Sequence, residues 1–368
     1  MAKAKSSGGK KTGKSRVGCG LLILLLLILI PVGQMAWSTW SLQRPYKGYE
    51  GKERLVTVAP GSGAGQVLDK LEREGVIPNA KLARIYLTLK GNPKLQAGQY
   101  LFKGSLSTPQ VLRMVSTGQT VSRSATIIEG LTLEEIADQL SRSGFGRREV
   151  FLDLMRSPKL IADFDPDAPD LEGYLFPETY SFASGTSEKE IVETLVKTFR
   201  RRFERTVRPR MAQGAPGRTV RQVVTLASIV EKEAKAPVDR PLIAAVYRNR
   251  LDRRIGLAAD PTVIYALKRL GRWTGNIRKE DLRMESPYNT YRYAGLPPGP
   301  ICSPGLASLE AAAAPANVPY LYFVSRNDGT HVFAETLAEH NRNVEIWQRK
   351  YWRERWAAER RAREAGGR

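Results

Sequence analysis

Two glutamates stand close together at the end of an apolar segment and are the first candidates for chemistry. The segment VRQVVTLASIVEKEA, residues 220–234, ends in Glu231-Lys232-Glu233-Ala234. In a helix its apolar residues form one buried stripe, and the two carboxylates flank this stripe about 200° apart, so they do not form an adjacent pair. The glutamate that faces a cleft would lose water, which raises the pKa of a carboxyl group and favours a general acid. In the alternative interpretation, both glutamates lie in a solvated last turn.

A second catalytic possibility on the same segment is a nucleophile and base. Ser228 and Lys232 are four residues apart, so a helix would bring them to one face. No oxyanion-hole motif accompanies them, and a serine nucleophile needs such support. The pair therefore ranks below the glutamates.

A stretch rich in proline and glycine follows and predicts rigid loops. It contains Asp260, and the segment SPYNTYR at 286–292 carries Tyr288, Asn289 and Tyr291. Aromatic faces stack on the C–H surfaces of sugars, while carboxylates and amides hydrogen-bond hydroxyl and acetamido groups. These four residues are candidate sugar ligands. Two alternatives stay open: the loops are turns over a core, and Asp260 caps a helix at 262–270.

The elements that would position these residues form two blocks. Residues 54–122 alternate in a strand–helix–helix–strand pattern with a further helix, which predicts a small binding module. Residues 125–347 mix short strands with longer helices and contain the candidates above, so the fold class is α+β.

A basic tail, residues 348–368, closes the chain and places Trp352 and Trp356 four residues apart. Two interpretations stay open for it. It is either an amphipathic helix at a membrane interface or a solvated helix that packs one aromatic edge on the domain.

The N-terminus has the pattern of a membrane anchor. Residues 1–16 hold six Lys or Arg and no acid, and an apolar stretch covers residues 17–37. A retained single-span helix is favoured over a cleaved signal peptide, because the stretch approaches the roughly 20 residues of a span and no small-x-small cleavage site follows. The basic end stays inside. We therefore expect a single-pass protein of the cell (inner) membrane with everything after about residue 41 outside the cytoplasm.

Charge and composition narrow the partners further. The chain has 58 Lys and Arg against 37 Asp and Glu, a net charge of +21. Outside the membrane such charge meets anionic lipid or carboxylate-rich cell wall, so a nucleic-acid partner is not expected. Two histidines and two distant cysteines without CxxC or HExxH spacing argue against a metal centre or a disulfide framework, and no cofactor is expected.

Six ordered motifs resemble those of the YceG-like (MltG) family of endolytic murein transglycosylases. They lie between residues 227 and 341 and are ASIVEKEA, DPTVIYA, SPYNTYR, GLPPGPICSPG, PYLYFV and HVFAETLAEHN. The motif LEGYLFPETY at 171–180 and the predicted anchor extend the resemblance over nearly the whole chain. The chain departs from the family pattern at Ala258, where glutamine is usual, at Cys302, where a small residue is usual, and in the basic tail.

The resemblance implies a LysM-like module at 54–122, a YceG-like catalytic domain at 125–347, and a single catalytic acid that falls on Glu233. This acid would protonate the glycosidic oxygen between N-acetylmuramic acid and N-acetylglucosamine. Its carboxylate would then take the proton of the muramoyl C6 hydroxyl, which closes on C1 to give a 1,6-anhydro end. Glu178 and Asp260 are candidates for charge stabilisation or substrate orientation, and Tyr174 is a further substrate-binding candidate.

The function that the resemblance implies is the termination of glycan strand elongation in nascent peptidoglycan. The partners would be glycan strands and peptidoglycan synthases. The alternative is a non-catalytic, membrane-anchored scaffold that binds the cell wall, and a membrane-tethered nucleic-acid binder ranks last.

Overall fold

The computed structural model describes Gly33, Trp37 and residues 40–366. The predicted basic segment and anchor therefore lie outside the described residues, apart from Gly33 and Trp37. Within the described part of the chain, no helix is both long enough and apolar enough to cross a membrane. The chain divides into two compact units: the first extends to Arg123 and includes Ala183–Gly185, and the second comprises Ser124–Phe182 and the residues from Thr186 onward.

The first unit contains the predicted strand–helix–helix–strand arrangement. Its elements are β1 (Glu53–Val58), α1 (Ala64–Arg73), α2 (Ala80–Leu89), β2 (Gly98–Lys103) and α3 (Thr108–Thr117). Strands β1 and β2 pair antiparallel, with Val56 opposite Tyr100, and both side chains lie in the core of the unit. Asn79 caps α2 by accepting a hydrogen bond from the Leu82 amide at 2.9 Å.

The second unit is mainly helical and contains two small sheets. Strand β3 (Ser122–Thr126) pairs with β4 (Thr179–Ala183), and both strands lie mostly in this unit. Strand β5 (Tyr322–Ser325) pairs antiparallel with β6 (His331–Ala334). The helices are α4 (Leu133–Arg142), α5 (Arg148–Met155), α6 (Glu188–Arg202), α7 (Arg208–Gly214), α8 (Val220–Glu233), α9 (Arg240–Asp252), α10 (Asp260–Arg269), α11 (Leu306–Ala313), α12 (Leu337–Val344) and α13 (Tyr351–Gly366). Helices with small sheets confirm the expected mixed character of the fold.

Helix α8 forms the centre of the second unit. Thr219 caps it by accepting a hydrogen bond from the Gln222 amide, and the Gln222 side chain accepts one in return from the Thr219 amide. Every residue from Val223 to Val230 is buried, so the helix is covered on all sides, not along a single apolar stripe. The reason is that α9, α10 and α11 all contact it. At its C-terminal end, residues 231–233 are partly or fully exposed, and Glu233 is the last of them.

Candidate active site

Glu233 is the last residue of α8 and is only partly exposed. The hydroxyl group of Tyr247, on α9, donates a hydrogen bond of 3.0 Å to Oε1 of Glu233. Tyr247 itself is buried, and burial together with the neighbouring carboxylate raises its pKa well above the usual value. It therefore remains a protonated donor at every physiological pH.

Arg250 and Asp260 place opposite charges near Glu233. The guanidinium group of Arg250, one turn after Tyr247 on α9, donates to the carbonyl oxygens of Leu257 and Leu321 at 2.7 Å each. Asp260 lies in the first turn of α10 and accepts a hydrogen bond of 2.5 Å from the Tyr291 hydroxyl. Both side chains are thus held in place by partners from other segments.

These surroundings raise the pKa of Glu233 to about 7. Burial is the largest cause, because it penalises the charged carboxylate, and the negative charge of Asp260 acts in the same direction. The hydrogen bond from Tyr247 and the positive charge of Arg250 oppose them by favouring the carboxylate. Near neutral pH, Glu233 is consequently present in both protonation states and can both donate and accept a proton.

Glu231 occupies a different environment, although it lies only two residues away. Its side chain is 7% exposed, accepts a hydrogen bond of 2.9 Å from the Gly305 amide and lies 3.7 Å from the Arg240 guanidinium group. The two carboxylates therefore bind different elements, as their angular separation on the helix predicts. The alternative of a solvated last turn is wrong for both of them.

The possible nucleophile and base on α8 do not meet. The Ser228 hydroxyl donates to the Thr225 carbonyl at 2.7 Å and accepts from the Ile301 amide at 3.0 Å. Lys232 instead donates to the Gly130 carbonyl at 3.2 Å. Ser228 therefore connects α8 to the loop at Ile301. Lys232, the possible base, binds Gly130 instead.

The SPYNTYR loop has a buried support and an exposed tip. Asn289 is fully buried; its amide nitrogen donates to the carbonyls of Leu282 and Met284, and its oxygen accepts from the Tyr291 amide. This side chain holds the loop in shape and positions Tyr291, and it does not present its amide to a ligand. Tyr291 is exposed and reaches Asp260.

The start of α10 decides between two interpretations of Asp260, as a helix N-cap and as a ligand. Ala259 is in the capping position, and the Asp260 side chain makes no capping hydrogen bond. The Thr262 hydroxyl donates to the Ala259 carbonyl at 2.7 Å, while Thr290 accepts from the Ala259 amide. The interpretation of Asp260 as an N-cap is therefore wrong, because Ala259 holds that position and the Asp260 carboxylate accepts from Tyr291 instead.

Tyr288 lies apart from Tyr291 despite the short separation in sequence. Its ring packs 4.9 Å from the ring of Tyr265, whose hydroxyl group donates to the buried carboxylate of Glu172 at 3.3 Å. Arg269 lies over both tyrosine rings. The described contacts thus place Tyr288 in a second cluster at the other end of α10, and not beside Glu233.

The two candidates from LEGYLFPETY also have other partners. Tyr174 is 1% exposed, and its hydroxyl group donates to Asp165, which forms an ion pair of 2.9 Å with Arg221. Glu178 forms an ion pair of 2.8 Å with Arg202 beside β4. The structure does not bring either side chain to Glu233: the first belongs to the core and the second to the surface near β4.

Tyr247 and Arg250 are the site residues that the sequence patterns did not single out. The pattern places Tyr247 on the apolar face of α9, where a buried tyrosine needs a partner for its hydroxyl group. A buried tyrosine hydroxyl therefore indicates that a partner exists. The sequence pattern does not identify the partner, because Glu233 lies on another helix. Arg250 carried no signal beyond its position one turn later.

A cavity in the first unit is lined only by residues of that unit. It has a volume of about 1050 Å³ and is lined by residues 59–62 after β1 and residues 92–97 before β2. A smaller cavity of about 370 Å³ in the second unit lies beside Tyr265 and Arg269.

Comparison with known proteins shows the family of this chain. The sequence model of the YceG-like family matches residues 56–346, so the chain belongs to the YceG-like family. An endolytic murein transglycosylase of Bacillus subtilis (strain 168) is 32% identical over 307 residues, which are 79% of this chain and 83% of that relative. The resemblance of the six motifs to this family is thereby confirmed.

Two further comparisons agree with this membership. An endolytic murein transglycosylase of Streptococcus pneumoniae (serotype 2, strain D39) is 29% identical over 356 residues, covering 87% of this chain but only 63% of that relative. This chain therefore spans less than two thirds of the pneumococcal protein. A crystal structure of a yceG-like protein from Listeria monocytogenes matches with a TM-score of 0.54 and 34% identity, covering 79% of this chain and 98% of that one.

Proposed function

We propose that this chain is an endolytic murein transglycosylase, a lyase that cleaves peptidoglycan glycan strands with Glu233 as its single catalytic residue. The observation that carries the proposal is the partly buried Glu233, bonded to Tyr247 and with a pKa of about 7, in a chain of the YceG-like family. Two relatives that span most of this chain bear that activity as their name.

The first step is protonation of the glycosidic oxygen between N-acetylmuramic acid and N-acetylglucosamine. The protonated Glu233 donates this proton as the bond to the muramoyl C1 breaks, and C1 takes on oxocarbenium character. The carboxylate of Asp260, held by Tyr291, supplies negative charge that stabilises the positive charge developing near C1.

The second step uses the carboxylate that the first step leaves. Glu233 accepts the proton of the C6 hydroxyl of the same muramoyl residue, and the C6 oxygen closes on C1 to give a 1,6-anhydro end. Because the nucleophile belongs to the substrate, no second carboxylate is needed to activate water. A pKa near the working pH serves both steps, since the same group must lose and regain a proton in each cycle.

Matched variants on α8 test this assignment. Glu233→Gln keeps shape and hydrogen bonding but removes proton transfer, so anhydro-muramoyl product should fall by roughly 10²–10⁴-fold. Glu231→Gln should keep most of the activity, because that carboxylate binds Gly305 and Arg240 instead. Mass spectrometry of purified glycan strands measures the product, and thermal melting confirms that both variants fold. A folded Glu233→Gln with wild-type product formation would favour the alternative, a non-catalytic scaffold that binds the cell wall.

The first unit would act as a LysM-like glycan-binding module. Its large cavity between the loops at 59–62 and 92–97 offers a surface for a sugar chain. Deleting residues 54–122 should weaken glycan binding or alter product length while bond cleavage remains detectable. Complete loss of cleavage in a folded deletion would mean that this unit helps to build the cleft.

The remaining proposals concern location and partners. Residues 17–37 would anchor the chain in the cell membrane, with the catalytic part outside the cytoplasm, where it would end nascent strands made by peptidoglycan synthases. A reporter fused after Trp40 should be active only outside the cytoplasm. Recovery of a mature chain that begins near Ser38 would replace the anchor with a cleaved signal.

A further inference from the structure

The basic tail is a distinct part of this chain. The YceG-like family match ends at residue 346, and residues 348–368 follow it with eight Lys or Arg against three Glu. Most of the tail forms helix α13. Nothing in the catalytic proposal uses this helix, so its composition calls for another explanation.

Helix α13 is held at its base and exposed along its length. The Gln348 side chain donates to the Ser325 carbonyl at 2.9 Å, and the Asn327 side chain donates to the Trp347 carbonyl at 2.6 Å. Beyond this base, none of the described side chains of the helix is buried. Its described ion pairs, such as Arg355 with Glu359 at 3.1 Å, stay within the tail and the turn before it. The described side chains of the helix are therefore accessible to solvent and do not pack on a core.

One face of α13 combines indole rings with guanidinium groups. The rings of Trp352 and Trp356 lie 6.1 Å apart, and Trp356 is 60% exposed. At about 100° per residue, Arg360 and Arg363 fall within about 80° of Trp352. Neither arginine has an ion-pair partner among the residues whose side chains the structure describes. Glu359 lies on the same face, where its charge is paired with Arg355 at 3.1 Å.

We propose that α13 is a peripheral membrane-binding helix that lies on an anionic phospholipid bilayer. Exposed indole rings are unfavourable in water and favourable at the level of lipid headgroups, where Trp side chains concentrate. The guanidinium groups of Arg360 and Arg363 complement lipid phosphates through charge and paired hydrogen bonds. An anionic cell-wall polymer would satisfy the arginines but would leave the two indole rings without an apolar environment. This inference does not depend on the proposed catalytic function.

Hydrogen exchange of the tail in the full chain tests the proposal. The chain is prepared with nanodiscs of phosphatidylcholine alone and of phosphatidylcholine with about one third phosphatidylglycerol. Amides of residues 351–366 should exchange at least about tenfold more slowly with the anionic nanodiscs only, and added salt should reduce this protection. Equal exchange with both lipid compositions, whether fast or slow, would overturn the proposal.

Matched variants separate membrane contact from helix stability. Trp352→Ala with Trp356→Ala, and Arg360→Gln with Arg363→Gln, should each lose the protection. Each basic residue contributes about fivefold in affinity, so the double arginine change should weaken binding by about 25-fold. The controls are Trp273→Ala, which removes an indole ring outside the tail, and Arg253→Gln with Arg272→Gln, which removes two guanidinium groups outside it. Equal exchange of variants and wild type with phosphatidylcholine alone would show that the helix itself is intact.

Two outcomes of this comparison would also contradict the proposal. If the control variants lose the protection as much as the tail variants do, overall charge is the cause and not α13. If isolated murein without lipid slows exchange of residues 351–366, the occupant is the cell wall. Cleavage of soluble glycan strands should be unchanged in the tail variants, which keeps this result independent of the catalytic assignment.

Discussion

The Tyr247 hydroxyl donates a 3.0 Å hydrogen bond to the Glu233 carboxylate, and this bond acts against the burial of the same carboxylate. Burial favours the neutral acid, whereas the hydrogen bond favours the anion. Their balance, with smaller contributions from Asp260 and Arg250, sets the pKa of Glu233 to about 7. Changing either side of the balance should shift the pH dependence of the reaction in a direction that can be stated beforehand.

Removal of the Tyr247 hydroxyl should shift the activity profile to higher pH. Tyr247→Phe deletes the bond that favours the carboxylate, so the pKa of Glu233 rises and the acid stays protonated further into the alkaline range. The alkaline limb of kcat/KM should move up by on the order of one pH unit. The rate of anhydro-product formation between pH 5 and 9 measures this. Tyr288→Phe, in the second cluster, is the control and should leave the limb in place.

Removal of the Asp260 charge should shift the same limb the other way. The Asp260 carboxylate raises the pKa of Glu233, so Asp260→Asn lowers it, and the alkaline limb of kcat/KM should move to lower pH. The maximal rate should fall as well, because a negative charge near the developing cation is lost. An unchanged limb in a folded variant would mean that Asp260 acts only on substrate, and not on Glu233.

Stability should depend on pH through Glu233. Because its pKa is raised from 4.5 to about 7 in the folded chain, the folded state holds a proton that the unfolded state releases. The stabilising contribution is complete below about pH 4.5 and is lost as pH rises through 7. Glu233→Gln does not titrate, so its free energy of unfolding should exceed that of the wild type by up to about 3 kcal/mol at pH 8. Urea denaturation at pH 5 and pH 8 measures the difference, and a gap that does not grow with pH would contradict the raised pKa.

Tyr174 should matter for stability and not for substrate. Tyr174→Phe removes one hydrogen bond to the buried Asp165 and should cost about 1–3 kcal/mol of unfolding free energy. KM for glycan strands should stay unchanged, since the ring lies in the core against Phe199. Denaturant melts and steady-state kinetics of the same preparation separate the two effects. A raised KM with unchanged stability would restore Tyr174 as a substrate ligand.

Most of the local structure can be predicted from the sequence. The spacing of Val67, Leu68 and Leu71, with the turn signal at Gly75, predicts a helix that the structure contains as α1. Asn79, an asparagine directly before a helical pattern, predicts an N-cap that the structure contains, since capping depends only on neighbouring residues. Helix α10 begins at Asp260, two residues before the start at 262 that the sequence predicts. The Ala259 amide directly before it donates to the Thr290 hydroxyl, a partner that is distant in the chain.

The environments of the candidate ligands in the loops also depend on residues that local composition does not reveal. Tyrosine and asparagine on a rigid loop are compatible with a sugar site or with a buried support, and the pattern cannot distinguish them. Asn289 and Tyr291 belong to one loop, yet the first is buried and the second exposed. Their difference follows from the carbonyl groups of Leu282 and Met284, which take both donors of Asn289.

By itself, the sequence determined the family motifs, the helix that carries Glu231 and Glu233, and the divergence of these two side chains, because helical geometry depends only on local spacing. Tertiary structure alone decided their environments. Gly305 and Arg240 bind one carboxylate, while Tyr247 binds the other. Burial and partner charges come from residues that are distant in the chain and adjacent only after folding, so no local pattern contains them.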